Sequence, residues 1–318
     1  MLNGNNKLSV IIPFCNSEKY IGKCIESVLN QTYKDIEVLL VGNCSTDSSI
    51  SICESFASKD SRLRVIIEEK SGAAAARNRG IKESQGAYIT FVDSDDYIEA
   101  SMYEKLVDNL ENTQSDMACC SFYYVYEDGS FTDWYEPTLG KYIGKSPVVT
   151  GRECANLFLT SRDIEGFCWN KLFRKSIICD HGLSFDESKI AFEDMLFIFN
   201  YLNQCKNIVL VDEKLYYYRQ NSGSLTKDTR KERRVEFTDT VNKIVDKANE
   251  VGLTGEAKCY KAVRIMYDSF DKLRAGNKIK EYLPEEINIF SAAYLIIRYQ
   301  KTEKIKTLCK LAYCLVRS

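Results

Sequence analysis

The sequence predicts an α/β protein: a doubly wound, mostly parallel sheet flanked by helices, followed by a helical C-terminal subdomain. Three observations predict it. Strand-like and helix-like runs alternate β-α-β-α-β-α-β over about the first 90 residues. Two of those strands end on polar residues, Asn43 and the cluster Asp93 to Asp96. From about Lys231 onward, long charged segments with helical spacing replace the alternation.

Leu8 to Pro13 is a continuous apolar run, the pattern of a strand buried on both faces, and Asn16 and Ser17 after it are good helix caps. The helix they introduce carries Ile21, Ile25, Val28 and Leu29 at spacings of three and four. A second strand, Ile36 to Val41, leads through Asn43 to Asp47 into a helix with Ile52, Cys53 and Phe56. The third, Leu63 to Ile67, precedes an alanine-rich helix from Ala73 to Lys82. The fourth, Tyr88 to Val92, stops at Asp93-Ser94-Asp95-Asp96. In such open sheets ligands bind beyond the carboxyl ends of the strands, which is where Asn43 and the aspartates fall. Past Glu99 the pattern changes to a helix, a strand-like stretch from Met117 to Tyr126, a turn at Asp128-Gly129, and a mixed region reaching the aromatic strand Leu215 to Tyr218.

The chain has 318 residues, 45% of them apolar and 28% charged, with a net charge of −2. That balance carries no nucleic-acid signature. The 13 cysteines are scattered through apolar stretches such as Met117-Ala118-Cys119-Cys120, and there is 1 histidine, His181, so neither a disulfide framework nor a zinc centre is expected. Met1 to Lys7 lacks the apolar core of a signal peptide, and no apolar run approaches the roughly 18 residues of a membrane span, which predicts a cytoplasmic protein.

Three aspartates in four residues after a buried strand suit a hard divalent cation, Mg²⁺ or Mn²⁺, which takes carboxylate oxygens and keeps positions open for substrate phosphates. Asp95 is the first candidate ligand, with Asp93 in support; the alternative is that the cluster caps a helix beginning near Glu99. A second acidic pair, Glu193-Asp194, lies between apolar flanks, where burial would raise a carboxyl pKa and favour a general base. A plain helix-start role is the alternative for that pair.

Several motifs together resemble glycosyltransferase family 2: Ser9-Val10-Ile11-Ile12-Pro13, Ser27-Val28-Leu29-Asn30-Gln31-Thr32-Tyr33, Ser45-Thr46-Asp47, Ala76-Arg77-Asn78-Arg79-Gly80-Ile81, Gly86 to Asp96, Trp169-Asn170-Lys171-Leu172 and Phe192-Glu193-Asp194. The resemblance implies the fold called GT-A over residues 1–226, with a nucleotide-binding half to about residue 98 and an acceptor half over 99–226, and leaves 227–318 as the helical subdomain. It implies an inverting transfer from a nucleotide-sugar, a UDP-sugar in the first instance, to a glycan or lipid-linked acceptor in surface polysaccharide assembly. The nucleotide would be held by Pro13, Asn16, Asn43, Arg77, Asp93, Ser94 and Arg219, the metal by Asp95 with Asp93, and the acceptor beside Trp169, Asn170 and Lys171. Asp194 would be the base, with Glu193 beside it, and Ser222-Gly223-Ser224 would close over the diphosphate. Core packing is the other reading of Trp169, a salt bridge to a nearby aspartate that of Arg77, and a surface cation that of Arg219. Gly42-Asn43-Cys44 departs from the family's usual acidic pair followed by glycine, which leaves the nucleotide base open.

From Arg298 to Arg317 six basic residues oppose Glu303, while Ile305, Leu308, Leu311, Ala312 and Leu315 recur at helical spacing. Such an amphipathic helix suits peripheral contact with an anionic membrane face, packing on the domain, or homo-oligomerisation. Two rival functions remain: a non-catalytic scaffold that kept the fold, suggested by Asn43, and a sugar nucleotidyltransferase, against which the segment Pro13 to Ser17 speaks because it is no glycine-rich phosphate loop.

Overall fold

Leu8–Phe14 (β1) is buried at every position, and its near-continuous apolar sequence follows from having covered faces on both sides. The structure is a computed structural model that describes residues 6–126, 128–132, 148–161, 164–189, 192–220 and 231–274. Ile36–Asn43 (β2) and Tyr88–Phe91 (β4) flank β1 in parallel, and Leu63–Glu68 (β3) extends the sheet beyond β2. The crossovers are Ile21–Leu29 (α1), Ser49–Ala57 (α2) and Ala73–Glu83 (α3). Side chains alternate between two cores: Val10, Ile12, Val38 and Leu40 meet α1, whereas Ile11, Leu39, Val41 and Phe91 meet α3. Gly80 of α3 lies so close to β1 that a Cβ there would overlap the side chain of Ile11.

Beyond β4 the sheet continues through Lys171–Arg174 (β9), Met117–Val125 (β6), Asn207–Arg219 (β10) and Tyr97–Ile98 (β5), in the order β3-β2-β1-β4-β9-β6-β10-β5. Two short strands, Phe131–Thr132 (β7) and Val148–Thr150 (β8), pair with β6 and β10. Because β9 is antiparallel to both β4 and β6, and β10 is parallel to β6, the carboxyl ends of β1, β2, β4, β6 and β10 share one edge with the start of β9. Topology therefore gathers Asn43, the aspartate cluster, Trp169 and Arg219 onto that edge.

Met102–Asn112 (α4) packs on β6 and β10, while Gly151–Thr160 (α5), Lys175–Asp180 (α6) and Glu193–Leu202 (α7) lie on the acceptor side of the chain. Lys231–Glu250 (α8) and Thr254–Arg274 (α9) pack together, and Val241, Ile244, Ala248 and Tyr260 join the same core as Phe158 and Phe199 of α5 and α7. Among the described residues no helix is long and apolar enough to cross a membrane.

Three local expectations are corrected. Asn16 and Ser17 do not cap α1 with their side chains: the helix starts at Ile21, Asn16 turns with φ +50° to accept the Thr46 N–H, and the Ser17 carbonyl takes the N–H groups of Tyr20 and Ile21. Asp93 to Asp96 do not cap a helix near Glu99, since β5 intervenes and α4 begins at Met102. Finally, Lys171–Arg174 is a strand at the centre of the sheet, where the sequence reading has only a mixed region. The basic stretch Arg298 to Arg317 and Ser222-Gly223-Ser224 lie outside the described residues.

Candidate active site

β4 ends in a tight turn in which the Asp96 N–H donates to the Asp93 carbonyl. Ser94 is pinned to the end of β1 by a 2.7 Å hydroxyl contact with Ser17. The three aspartates then part company. Asp96 is 1% exposed, accepts from the Tyr216 hydroxyl and the Arg219 N–H at 2.7 Å each, and so ties this turn to the end of β10. Burial, together with Asp95 and Asp93 beside it, pushes its carboxyl well above the usual range. Asp93 and Asp95 are half-buried at the sheet edge. Arg219 holds the turn from the other side, its Nε donating to the Asp95 carbonyl at 2.8 Å while its guanidinium lies 4.9 Å from the Tyr20 ring.

Across the edge, α7 begins directly after Phe192, a non-glycine residue at φ +67°, a conformation costing about 1 kcal/mol that sets the direction of the first turn. That turn carries Glu193 and Asp194. Arg77, 6% exposed on α3, donates to Glu193 Oε1 at 2.5 Å and to Asp93 Oδ1 at 2.9 Å. One buried guanidinium thus joins the aspartate turn to the acidic helix start, and the salt-bridge alternative for Arg77 is the one the geometry shows. It also occupies Glu193, leaving Asp194 as the uncommitted carboxylate of the pair. Asp194 accepts the Met195 N–H at 2.8 Å through one oxygen. Burial, and after it the Glu193 charge, push its pKa up to about 7 against the lowering pull of Arg77.

At the end of β2, the Asn43 side-chain amide donates to the Lys70 and Gly72 carbonyls at 2.6 and 3.1 Å. An aspartate here would set its oxygens against two carbonyls, so the departure from an acidic residue is matched by its surroundings. Those two bonds consume the NH₂ and leave the amide oxygen as the group available to a ligand. Pro13 is buried inside β1, whereas Asn16 is exposed and bridges the loops after β1 and β2.

The triple before β9 is more buried than an acceptor contact needs to be. Trp169 is 2% exposed and stacks on Tyr216 at 4.3 Å. Asn170 donates to the Cys120 carbonyl, and the Lys171 ammonium donates to the Glu165 and Phe167 carbonyls and to Asn170 Oδ1. These residues hold the loop 164–170 in place from below. Two functional neighbours escape the sequence reading: Ser17, hidden among generic cap residues, and Tyr216, whose hydroxyl reaches Asp96 over 120 positions of sequence.

For a cation the donor set is two half-buried carboxylates, Asp95 and Asp93. No cluster of three or more His, Cys, Asp or Glu among the described residues could close around a metal by itself. Mg²⁺ and Mn²⁺ with a diphosphate need no more, because phosphate and water oxygens complete their coordination. The residues therefore fit such an ion.

A doubly wound sheet whose parallel strands end on an acidic turn, faced by a buried carboxylate near neutral pKa, defines a transferase working on an activated, phosphate-bearing substrate. Residues 9–178 match the family model described as glycosyl transferase family 2, and the chain belongs to that family. It is 35% identical over 221 residues to the uncharacterized glycosyltransferase EpsJ of Bacillus subtilis, a stretch covering 69% of this chain and 62% of EpsJ. It is 30% identical over 221 residues to the poly(ribitol-phosphate) beta-N-acetylglucosaminyltransferase TarS of Staphylococcus aureus, covering 68% of this chain and 36% of TarS. The chain thus spans less than two thirds of these relatives. The crystal structure of TarS 1–349 in complex with UDP-GlcNAc superposes with a TM-score of 0.67 at 22% identity, covering 98% of this chain and 88% of that one, which shows the GT-A fold.

Proposed function

We propose that this chain is an inverting glycosyltransferase that moves a monosaccharide from a UDP-sugar to a hydroxyl of a glycan or lipid-linked acceptor during surface polysaccharide assembly. The observation that carries this reading is Asp194: a buried carboxylate poised near pH 7, opposite the Asp93–Asp95 turn and joined to it through Arg77. A sugar hydroxyl is a poor nucleophile until its proton is accepted, and a carboxylate of this basicity accepts it far better than one near pH 4. Asp194 takes the proton, the freed oxygen bonds to the anomeric carbon, and the bond from that carbon to the diphosphate breaks on the opposite face. Glu193 is held by Arg77, so the geometry offers one base and no second free carboxylate for a covalent intermediate, which supports inversion by a single displacement. A divalent cation, Mn²⁺ or Mg²⁺, held by Asp95 with Asp93 would neutralise the charge gathering on the diphosphate. Uracil is favoured because it offers an imide N–H to the fixed amide oxygen of Asn43.

The test is Asp194→Asn. The variant should bind UDP as the native chain does and lose transfer, followed as UDP release, by roughly 10²–10⁴-fold, the usual worth of a positioned base. Normal turnover in this variant would remove Asp194 from the role. A scaffold that merely kept the fold would have no use for a near-neutral buried carboxylate, which costs stability and contributes nothing to folding.

A further inference from the structure

We propose that Phe167 is the platform on which a pyranose ring of the acceptor lies; the inference rests on the transferase reading above. The loop 164–170 spans the space between base and aspartate turn. At one end, a Cβ on Gly166 would come within 2.6 Å of Met195 Cγ, so the backbone rests directly on the first turn of α7, which bears Asp194. At the other end Trp169 stacks on Tyr216, whose hydroxyl bonds Asp96 and takes the Asp93 N–H. Phe167 sits midway, where the attacking hydroxyl must approach.

Trp169 has no face left for a ligand, being 2% exposed. Phe167 is half-buried: one ring face is stacked on Trp169 at 4.9 Å and 14°, and Phe122 meets it edge-on at 6.1 Å. Its support is rigid. The Lys171 ammonium, wholly buried, bonds the Phe167 and Glu165 carbonyls, fixing the backbone on both sides of Gly166. A pyranose with equatorial hydroxyls carries a flat patch of axial C–H groups, and the electron-rich face of an aromatic ring attracts such polarised C–H groups while shielding them from water. A linear polyol chain presents no such patch. The structure therefore favours a ring sugar, not a polyol, as the accepting unit.

The test is saturation-transfer NMR on the full chain with UDP and Mg²⁺, using methyl β-glycosides of glucose, galactose and N-acetylglucosamine as probes and ribitol as the comparison. At least one glycoside should receive saturation on its axial protons and ribitol should not. Phe167→Ala should reduce that signal roughly three- to tenfold, the worth of one aromatic contact, while Phe167→Tyr retains it. Calorimetry should show equal UDP affinity in all three proteins, confirming that the variants are folded. Saturation of ribitol to the same degree, no saturation of any glycoside, or a signal indifferent to Phe167→Ala would overturn the proposal. So would a Phe167→Ala effect confined to UDP-GlcNAc affinity relative to UDP, because the platform would then hold the donor ring. Failure of the native chain to bind UDP would strike the transferase reading instead.

Discussion

Asp194 is tuned by two opposed influences, and their balance makes its pH behaviour predictable. Burial and the Glu193 charge raise its pKa to about 7, while Arg77 restrains the rise. A base must be deprotonated to act, so the transfer rate should climb from pH 6 to pH 8 with a midpoint near 7, and a pH–rate profile under single-turnover conditions checks this. The same shift has a stability cost. A carboxyl whose pKa is raised by folding favours the native state below its unfolded pKa near 4, and that favour is lost as pH rises to about 7. Above pH 7 the native chain carries a buried charge worth on the order of 2–4 kcal/mol of instability, which Asp194→Asn removes. The variant should therefore melt at higher temperature than the native chain at pH 8, with the gap closing at pH 4.5; thermal denaturation at the two pH values decides. Asp194 and the Asp93–Asp95 pair were legible in sequence, because acidic residues amid apolar flanks stand out. The capture of Glu193 by Arg77 was not, since those residues lie 116 positions apart and their pairing is a product of the fold.

Among the elements, those whose pattern is local were readable and those built from distant partners were not. β1, β2, β4 and the helices between them announce themselves by periodicity and were placed to within a residue or two. β9 is four residues long, Lys-Leu-Phe-Arg, too short for any period, and is a strand only because β4 and β6 flank it. The start of β10 was likewise missed: its register against β6 is broken between Val211 and Tyr216, which splits one long strand into two unlike halves. α3 carries a sharper lesson. Ala73 to Ala76 reads as helix propensity, yet the small residues let α3 approach β1 closely enough to aim Arg77 across the sheet edge. Gly80→Ala should gain about 1 kcal/mol in helix propensity but lose more by forcing Ile11 aside, for a net loss of about 1–2 kcal/mol. Chemical denaturation measures it, and UDP affinity should weaken with it as Arg77 moves.

At the scale of the whole molecule, one sheet edge collects groups drawn from five separate stretches of chain: Asn43, Arg77, Asp93 to Asp96, Asp194 and Arg219. The doubly wound half was predictable because parallel β-α units repeat the same local grammar. The placement of loop 164–170 and of the helices α8 and α9 depends on packing that the sequence records only as scattered apolar residues. The claim that unites the edge is that it binds a uridine diphosphate through Asn43 at one end and a divalent cation on Asp95 at the other. Asp95 accordingly matters to affinity, Asp194 to turnover, and base identity to neither carboxylate. The most direct measurement is calorimetric titration of UDP, with CDP as the control, into the native chain and Asp95→Ala, each with Mg²⁺ and with EDTA. The account predicts micromolar UDP binding by the native chain in Mg²⁺, at least ~10-fold weaker binding in EDTA or in Asp95→Ala, and weaker CDP binding throughout, since cytosine lacks the imide N–H that the Asn43 oxygen accepts. UDP binding of equal strength with and without the metal, in both proteins, would contradict it.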